Sequence, residues 1–291
     1  MKIGYPCINN SIGCTANSTF RLANYSEENM KEKISNNLSC LKKILEYNVK
    51  NELLFFRISS DIVPFASHPI CKFDWQKYFS KEFKAIGKYI KEKNIRISMH
   101  PDQFVLINAK DKRIIESSIR ELNYHCDVLD LMGLDSTAKV QIHVGGVYGN
   151  KEESIQRFIE NYKKLPNKIK KRLVIENDER NYSLKDCVAI YQETGIPVLF
   201  DSFHHLCFNN GETRRKGVEI AMETWKEKDG ILMTDYSSQE KNAKIGTHAR
   251  HIDINDFKRY IEETKNLDFD IMLEIKDKEK SALKAKKLIY Y

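Results

Sequence analysis

The sequence predicts an α/β fold, a single (β/α)8 or TIM barrel over residues 1–291, and two observations lead to this prediction. Short apolar runs rich in β-branched and aromatic residues alternate with longer amphipathic runs along the whole chain. About eight such strand–helix units are present, and eight is the number that closes a parallel barrel. The length of the chain also suits one barrel, which usually takes about 250 residues.

The predicted strands are short and occur at residues 3–5, 53–56, 95–99, 140–142, 173–175, 198–200, 231–233 and 271–273. Between most of them, apolar residues recur every three or four positions, as in an amphipathic helix, most clearly over 30–45, 75–90 and 115–129. A last helix ends near residue 289, and residues 236–250 form a long loop. An open doubly wound sheet is the alternative, but it normally carries a Gly-rich phosphate turn, and neither G-x-G-x-x-G nor G-x-x-x-x-G-K is present.

Composition narrows the class of protein. Hydrophobic residues make up 41% of the chain, which excludes an intrinsically disordered protein. The N-terminus lacks the apolar run of a secretory signal, and no stretch reaches the roughly 18 apolar residues of a membrane span. The seven cysteines are scattered without a C-x-x-C pair, which fits a reducing cytoplasm better than a disulfide framework or a cysteine zinc site. We therefore expect a cytoplasmic monomer with no membrane partner and no organic cofactor. Its net charge of +7 is compatible with a polyanionic partner.

Metal-ligating residue types follow many of the predicted strands, at the end where barrel enzymes place their active sites. They are His100, His143, Glu176, Asp201 and Glu274, joined in the following loops by His68, His204 and His248. Taken alone, each has a structural explanation; Asp201 could cap a helix, for example. Together, however, several carboxylates at one end would repel one another unless histidines and carboxylates share divalent cations.

So many ligands exceed one tetrahedral site and suggest two or three ions. Clustered ions activate water and stabilise a leaving oxygen in phosphoryl displacement. Because the sequence has neither a G-x-S-x-G elbow nor a cysteine with a nucleophile signature, metal-activated water is the candidate nucleophile. From the residues alone, both a hydrolase and a metal-dependent sugar isomerase stay open.

Local motifs then point to one family. They are GYPCIN at 4–9, RISSD at 57–61, MHPDQF at 99–104, HVGG at 143–146, END at 176–178, DSFHH at 201–205 and YSSQ at 236–239. In this order they resemble the signatures of UV damage endonucleases, which are related to the endonuclease IV barrels. The resemblance implies a hydrolase that cuts damaged double-stranded DNA immediately 5′ of a UV photoproduct and leaves a 3′-hydroxyl.

The resemblance also implies the site residues. Metal ligands are expected at His68, His100, His143, Glu176, Asp201, His204, His248 and Glu274, with Glu176 and Glu274 as catalytic residues. Lesion-probing residues are expected at Tyr5, Asn9, Gln103 and Phe104.

Three positions depart from the family pattern. Met233 and Asp235 stand where the family usually has a modified Lys and a His, and Phe104 replaces a Tyr. Asp235 is expected to act as an oxygen ligand, so of two or three divalent ions manganese is favoured over zinc and magnesium. Because Met233 is a poor ligand for a hard ion, a damaged-DNA-binding protein with weakened catalysis is a further alternative.

Overall fold

Eight parallel strands close into a barrel in the computed structural model, which describes residues 1–289. The strands are Ile3–Pro6 (β1), Phe55–Ile58 (β2), Arg96–Met99 (β3), Lys139–His143 (β4), Leu173–Glu176 (β5), Val198–Asp201 (β6), Leu232–Tyr236 (β7) and Phe269–Leu273 (β8). Each strand pairs in parallel with its neighbours in chain order, and β1 pairs with β8 to close the barrel. The predicted α/β barrel is therefore confirmed.

Helices separate the strands and cover the barrel. Within residues 1–289 they are Glu27–Lys50 (α1), Trp75–Tyr78 (α2), Ser80–Glu92 (α3), Lys112–Leu131 (α4), Lys151–Lys164 (α5), Asn167–Lys170 (α6), Leu184–Thr194 (α7), Ser202–Cys207 (α8), Arg214–Thr224 (α9), Ile254–Glu263 (α10) and Glu279–Ile289 (α11). In this part of the chain, no helix has the length and apolarity that crossing a membrane requires.

The structure shifts two predicted elements. The helix predicted over 75–90 is divided into α2 and α3. The second strand begins two residues later than predicted, because Leu53 belongs to the turn that follows α1, where its N–H donates to the Asn48 carbonyl at 2.9 Å. Strand β1 needs glycine at position 4, since a Cβ on Gly4 would lie 1.6 Å from the carbonyl oxygen of Phe55 on β2.

A disulfide joins Cys14 and Cys40, which corrects the expectation of a chain without disulfides. The two residues are 26 positions apart, one in the loop after β1 and the other inside α1. Because the fold, rather than a short sequence spacing, brings them together, the cysteine pattern gave no sign of this pair. The bond ties the long loop after β1 to the helix that follows it.

Buried ion pairs fill the amino-terminal end of the barrel. Arg96 Nη1 on β3 donates to Asp270 Oδ2 on β8 at 2.8 Å, and the backbone N–H of Lys2 also donates to Asp270. Lys139 Nζ on β4 donates to Asp229 at 2.6 Å. Each buried charge thus has a partner, which is the condition for tolerating it inside a protein.

Asp270→Asn should destabilise the fold by about 3–5 kcal/mol, because it leaves the buried guanidinium of Arg96 without its counter-charge. The matched control is Asp268→Asn, two residues away, where the side chain is 68% exposed against 2% for Asp270. That control should cost less than about 1 kcal/mol. Urea unfolding followed by circular dichroism gives both values, and equal costs would contradict the importance of the buried pair.

Candidate metal centre

Polar side chains gather at the carboxyl-terminal end of the barrel. His143, Glu176 and Asp201 are the last residues of β4, β5 and β6, while His100 and Glu274 directly follow β3 and β8. Parallel pairing places these ends side by side; for example, His143 is in register with Glu176. The alternation of strand and helix therefore brings residues far apart in the sequence to one face.

Six side chains form two groups in which three possible ligand atoms lie within 4.8 Å of one another: His100, His143 and Glu176, and Asp201, Asp235 and Glu274. In the first group, Glu176 Oε1 lies 2.8 Å from Nε2 of His143 and 3.5 Å from Nε2 of His100. Imidazole nitrogens beside carboxylate oxygens are the donor set of zinc and manganese sites. The arrangement fits divalent metal ions.

Two further histidines present a free ring nitrogen to the same region. Nδ1 of His248 lies 2.9 Å from the Glu274 carbonyl oxygen, and Nδ1 of His204 lies 3.1 Å from the Asn177 carbonyl oxygen. A carbonyl can only accept, so each Nδ1 donates its proton to that carbonyl, and Nε2 is the nitrogen that could bind a metal ion. This is the orientation of a metal-binding histidine held by a backbone carbonyl.

Asp201 serves two partners with its two oxygens. Its Oδ1 accepts from the backbone N–H groups of Phe203 and His204, both at 2.7 Å, and so caps the start of α8. Its Oδ2 lies 3.2 Å from Nδ1 of His204. The helix-cap and metal-ligand interpretations of this residue are therefore compatible, because they use different atoms.

Arg57 lies at the centre of the second group. Its Nη2 donates to both carboxylate oxygens of Asp235 at 2.7 Å, and its Nη1 donates to Oε1 of Glu274. Gln141 links the two groups: it accepts from Arg57 at 2.7 Å and donates to Glu176 at 2.5 Å and to Asp235 at 2.8 Å. Sequence reasoning assigned no role to Arg57 or Gln141, although a charge and an amide inside otherwise apolar strands were a signal.

Burial and charge compete throughout the centre. Burial lowers the pKa of His143, but the charge of Glu176 outweighs it and raises this pKa to about 9. Burial likewise lowers the pKa of His204, and the charge of Asp201 outweighs it, so that this pKa is also raised to about 9. In the metal-free protein both imidazoles therefore carry a second proton at neutral pH.

The pKa values of the carboxylates differ according to the cations beside them. Burial raises the pKa of Glu274, but the charges of Arg57 and His248 outweigh it and lower the pKa to about 2. Burial raises the pKa of Asp201 to about 6, and it also raises the pKa of Asp235 against the charge of Arg57. Glu274 is thus ionised by its surroundings, whereas Asp201 and Asp235 gain from a further cation.

Two further positions singled out in the sequence, His68 and Met233, lie outside both groups. His68 is exposed in the loop after β2, where its Nδ1 accepts from the Ile70 N–H at 3.1 Å, and neither three-residue group within residues 1–289 includes it. Met233 is fully buried in β7, on the same inward side as Asp235 two residues later. An apolar side chain therefore occupies an interior position next to the centre.

Of the four expected lesion-probing residues, two are exposed and two are buried. Gln103 and Phe104 are exposed in the loop after β3. Tyr5 is fully buried; its hydroxyl donates to Asn48 Oδ1 at 2.6 Å and accepts from Asn9 Nδ2 at 2.7 Å. This network holds both side chains inside in this conformation, so a lesion-probing role for Tyr5 and Asn9 would require them to move and stays a prediction.

A cavity of about 310 Å³ opens above the two groups, and its lining includes His100, His143, Glu176, His204, His248 and Glu274. A neighbouring cavity of about 610 Å³ is lined by Arg57 and Phe104, among others, and by the cationic side chains of Lys276 and Lys278. The centre is therefore open to a large, negatively charged ligand on the loop side of the barrel.

Comparisons with known proteins agree with the motifs. The UV-endonuclease UvdE family matches residues 1–290. The UV DNA damage endonuclease of Clostridium perfringens is 42% identical over 286 residues, which cover 98% of this chain and 69% of that protein. The enzyme of the same name from Bacillus thuringiensis is 38% identical over 259 residues, 88% of this chain and 82% of the relative. The crystal structure of SacUVDE superposes with a TM-score of 0.95 at 49% identity, covering 100% of this chain and 98% of that one.

Distant structures share only the fold. Endonuclease IV from Thermus thermophilus gives a TM-score of 0.58 at 14% identity over 85% of this chain and 92% of its own. A D-psicose 3-epimerase gives a TM-score of 0.53 at 12% identity, with 84% and 83% coverage. At such low identity, likeness to either protein does not choose between a nuclease and an epimerase.

Metal binding to the metal-free protein should release up to about two protons per chain at pH 7.5, because His143 and His204 must each lose a proton to become ligands. Both pKa values are raised to about 9, so the release should fall toward zero, and the metal affinity should rise, as the pH increases through 9. Calorimetric titration with Mn²⁺ in buffers of different ionisation enthalpy measures the number of protons.

His143→Gln should reduce the release by about one proton. The control is His251→Gln, which removes an exposed histidine paired with Asp277 and should leave the release unchanged. A heat of binding that is independent of the buffer would contradict this protonation of the centre.

Proposed function

The chain belongs to the UV-endonuclease UvdE family, and on this premise we propose that it is a metal-dependent DNA repair hydrolase that incises one strand of damaged duplex DNA. The cut lies immediately 5′ of a UV photoproduct and leaves a 3′-hydroxyl. Abasic sites and other distorting lesions are further substrates. The observation that carries the proposal is the meeting of two groups of metal-ligand atoms at the open end of the barrel.

The donor set suits two or three divalent ions. The ligands would be His100, His143, Glu176, Asp201, His204, Asp235, His248 and Glu274. Half of these side chains are carboxylates, and their oxygen donors favour manganese over zinc, with magnesium as a further candidate. Bound ions would neutralise the scissile phosphate and lower the pKa of the attacking water. His68 would join only if the loop after β2 moved toward the centre.

Glu274 and Glu176 would have different roles. Glu274 lines the cavity and is ionised, and Arg57 binds its Oε1. Its Oε2 lies 3.6 Å from Nδ1 of His248, beyond hydrogen-bond distance, and would face the water that attacks phosphorus. Glu176 has both oxygens engaged, Oε1 beside the two histidines and Oε2 by Gln141. Glu274 is therefore the better candidate for positioning and deprotonating water, while Glu176 holds the histidines.

The exposed side chains around the centre suit damaged DNA. Phe104 offers an aromatic face, and Gln103 offers an amide beside the cavity. A side chain that enters a duplex must offset the cost of unstacking, a few kcal/mol per step, and a damaged base is the easiest to unstack. Lys276 and Lys278 would bind phosphates at the cavity rim.

Two alternative functions are each suggested by one observation. A sugar epimerase shares the barrel, but the likeness extends to the fold alone. A damaged-DNA-binding protein with weakened catalysis is suggested by Met233, since this buried side chain adds no ligand for a hard ion. The two differ from the proposal in DNA cleavage and in metal content, so the same assay separates all three.

We expect Mn²⁺-dependent nicking of a duplex with one cyclobutane pyrimidine dimer, on the phosphate immediately 5′ of the dimer. Glu274→Gln should lower the rate by about 100-fold or more, because it removes the base. Glu262→Gln, on an exposed part of α10, should cut like the wild type. Denaturing electrophoresis beside undamaged and abasic duplexes gives the position and the rate.

If no duplex is cut, the metal content of the same samples distinguishes the two alternative functions. No cut on any duplex with metal bound would favour the epimerase. Binding of damaged duplex with neither metal nor cut would favour the weakened protein.

The affinity for duplex DNA should fall steeply between 50 and 200 mM salt, since phosphate contacts release counterions. Lys276→Gln and Lys278→Gln should each make the dependence of log K on log salt shallower by about one unit. Lys88→Gln, on an exposed part of α3, is the control and should keep the wild-type slope. Fluorescence anisotropy in EDTA measures binding without cleavage, and a salt-insensitive affinity would contradict the phosphate-binding rim.

A further inference from the structure

We infer that Ile245, in the loop that follows β7, is a second side chain that enters the damaged duplex, and that Gln239 is the residue that positions it. The inference rests on the proposed function, because it assigns one more contact to the same DNA substrate. We call residues 237–253, which connect β7 to α10, the β7 loop. The YSSQ motif ends in this loop, and neither Gln239 nor Ile245 takes part in the metal centre.

Ile245 is 76% exposed and Phe104 is 74% exposed, and among residues 1–289 these are the two most exposed large hydrophobic side chains. A single exposed apolar side chain is common and needs no explanation. Here, however, both lie on loops at the carboxyl-terminal end of the barrel. Gln103, next to Phe104, and Gly246, next to Ile245, line the same cavity above the centre. Ile245 itself lines a separate cavity of about 460 Å³ with Phe203 and Leu206. The β7 loop thus borders the cavity above the centre through Gly246 and carries Ile245 beside that border.

Gln239 holds the tip of the β7 loop on both sides of Ile245. Its Oε1 accepts from the Gly246 N–H at 3.0 Å, and its Nε2 donates to the Lys244 carbonyl at 3.0 Å. The two backbone neighbours of Ile245 are thus bound by one amide. Fixing the backbone of a residue costs about 1–2 kcal/mol of conformational entropy, so ordering an apolar side chain in water needs such interactions.

The tip is also fixed relative to the metal centre. His248, three residues after Ile245, donates through Nδ1 to the Glu274 carbonyl at 2.9 Å. Gly246 has a φ of +86°, and a Cβ there would lie 3.1 Å from Cγ of Glu179 in the loop after β5. The β7 loop therefore packs against its neighbour and presents Ile245 at a defined distance from the ligands.

The charge around Ile245 indicates the partner. Lys241 and Lys244 are exposed on the same loop. An apolar tip that follows two cations matches a duplex, in which phosphates lie outside and bases lie inside, and apolar side chains are known to enter between base steps. We therefore place Ile245 against the bases beside the lesion. An aliphatic side chain fills space without stacking, which suits a gap left by displaced bases.

The test uses Ile245→Ala and Gln239→Ala, with Ile231→Ala as the matched control. Ile231 is also an exposed isoleucine, 40% exposed, but it precedes β7 at the opposite end of the barrel. The probe is a duplex with one cyclobutane pyrimidine dimer and 2-aminopurine beside it, with an undamaged duplex alongside. Binding is measured in EDTA by anisotropy, and unstacking by the rise in 2-aminopurine fluorescence.

Ile245→Ala should weaken binding of the damaged duplex by about tenfold and reduce the fluorescence rise, with little effect on the undamaged duplex. Ile231→Ala should match the wild type. Gln239→Ala should weaken binding less, since the isoleucine remains, and should add nothing on the Ile245→Ala background. A merely structural role for Gln239 would instead give an independent, additive loss.

Wild-type binding and unstacking by Ile245→Ala would overturn the inference, as would an equal loss on damaged and undamaged duplexes. Failure of the proposed function is visible separately, because the wild type would then show no preference for the damaged duplex. Circular dichroism melting of each variant shows whether the fold is kept; since the side chain of Ile245 is exposed, its truncation should leave the melting temperature unchanged.

Discussion

The structure depends on the placement of one permanent cation among buried carboxylates. Glu176, Asp201, Asp235 and Glu274 converge at one end of the barrel, where their mutual repulsion and their burial both oppose ionisation. The guanidinium of Arg57 binds two of them, and Gln141 extends the network to a third. Without the charge of Arg57, burying so many carboxylates inside the barrel would cost more free energy in the metal-free protein. Arg57 on β2 thereby connects Asp235 in β7 with Glu274 after β8.

The two ends of the barrel handle buried charge differently. At the amino-terminal end, Arg96 meets Asp270 and Lys139 meets Asp229, so each charge is paired inside the protein. At the other end, histidines and carboxylates outnumber the fixed cation, and their protonation states depend on what binds there. This division is what a parallel barrel allows, since the two ends are built by different loops. The ion pairs that stabilise the fold and the groups suited to chemistry therefore lie at opposite ends of the barrel.

Much of the fold and part of the site could be predicted from the sequence. Short apolar runs mark the strands in the sequence, and the candidate ligands stand at the ends of these runs. The position of His143 at the end of β4, or of Glu274 directly after β8, therefore needed no tertiary information. Arg57 and Gln141 lie inside strands, where the pattern indicates core, and only the closed barrel shows which residues they meet. Tyr5 and Asn9 were expected as lesion-probing residues, but hydrogen bonds from Asn9 to Tyr5 and from Tyr5 to Asn48, 43 positions away from Tyr5, keep them inside. Long-range pairing also explains why Cys14–Cys40 escaped prediction.

The double use of Asp201 bears on which ion the centre accepts. One oxygen of this carboxylate is held by two N–H groups at the start of α8, so the side chain cannot rotate to follow a ligand. A stiff carboxylate offers one oxygen at one distance, whereas a flexible one can adjust to several ionic radii. Calcium takes six to eight oxygens at about 2.3–2.6 Å in adaptable geometry, while magnesium demands oxygen ligands at about 2.0–2.1 Å. In the proposed metal centre, the capped Asp201 would favour small ions through rigidity, independently of the chemical softness of its donors.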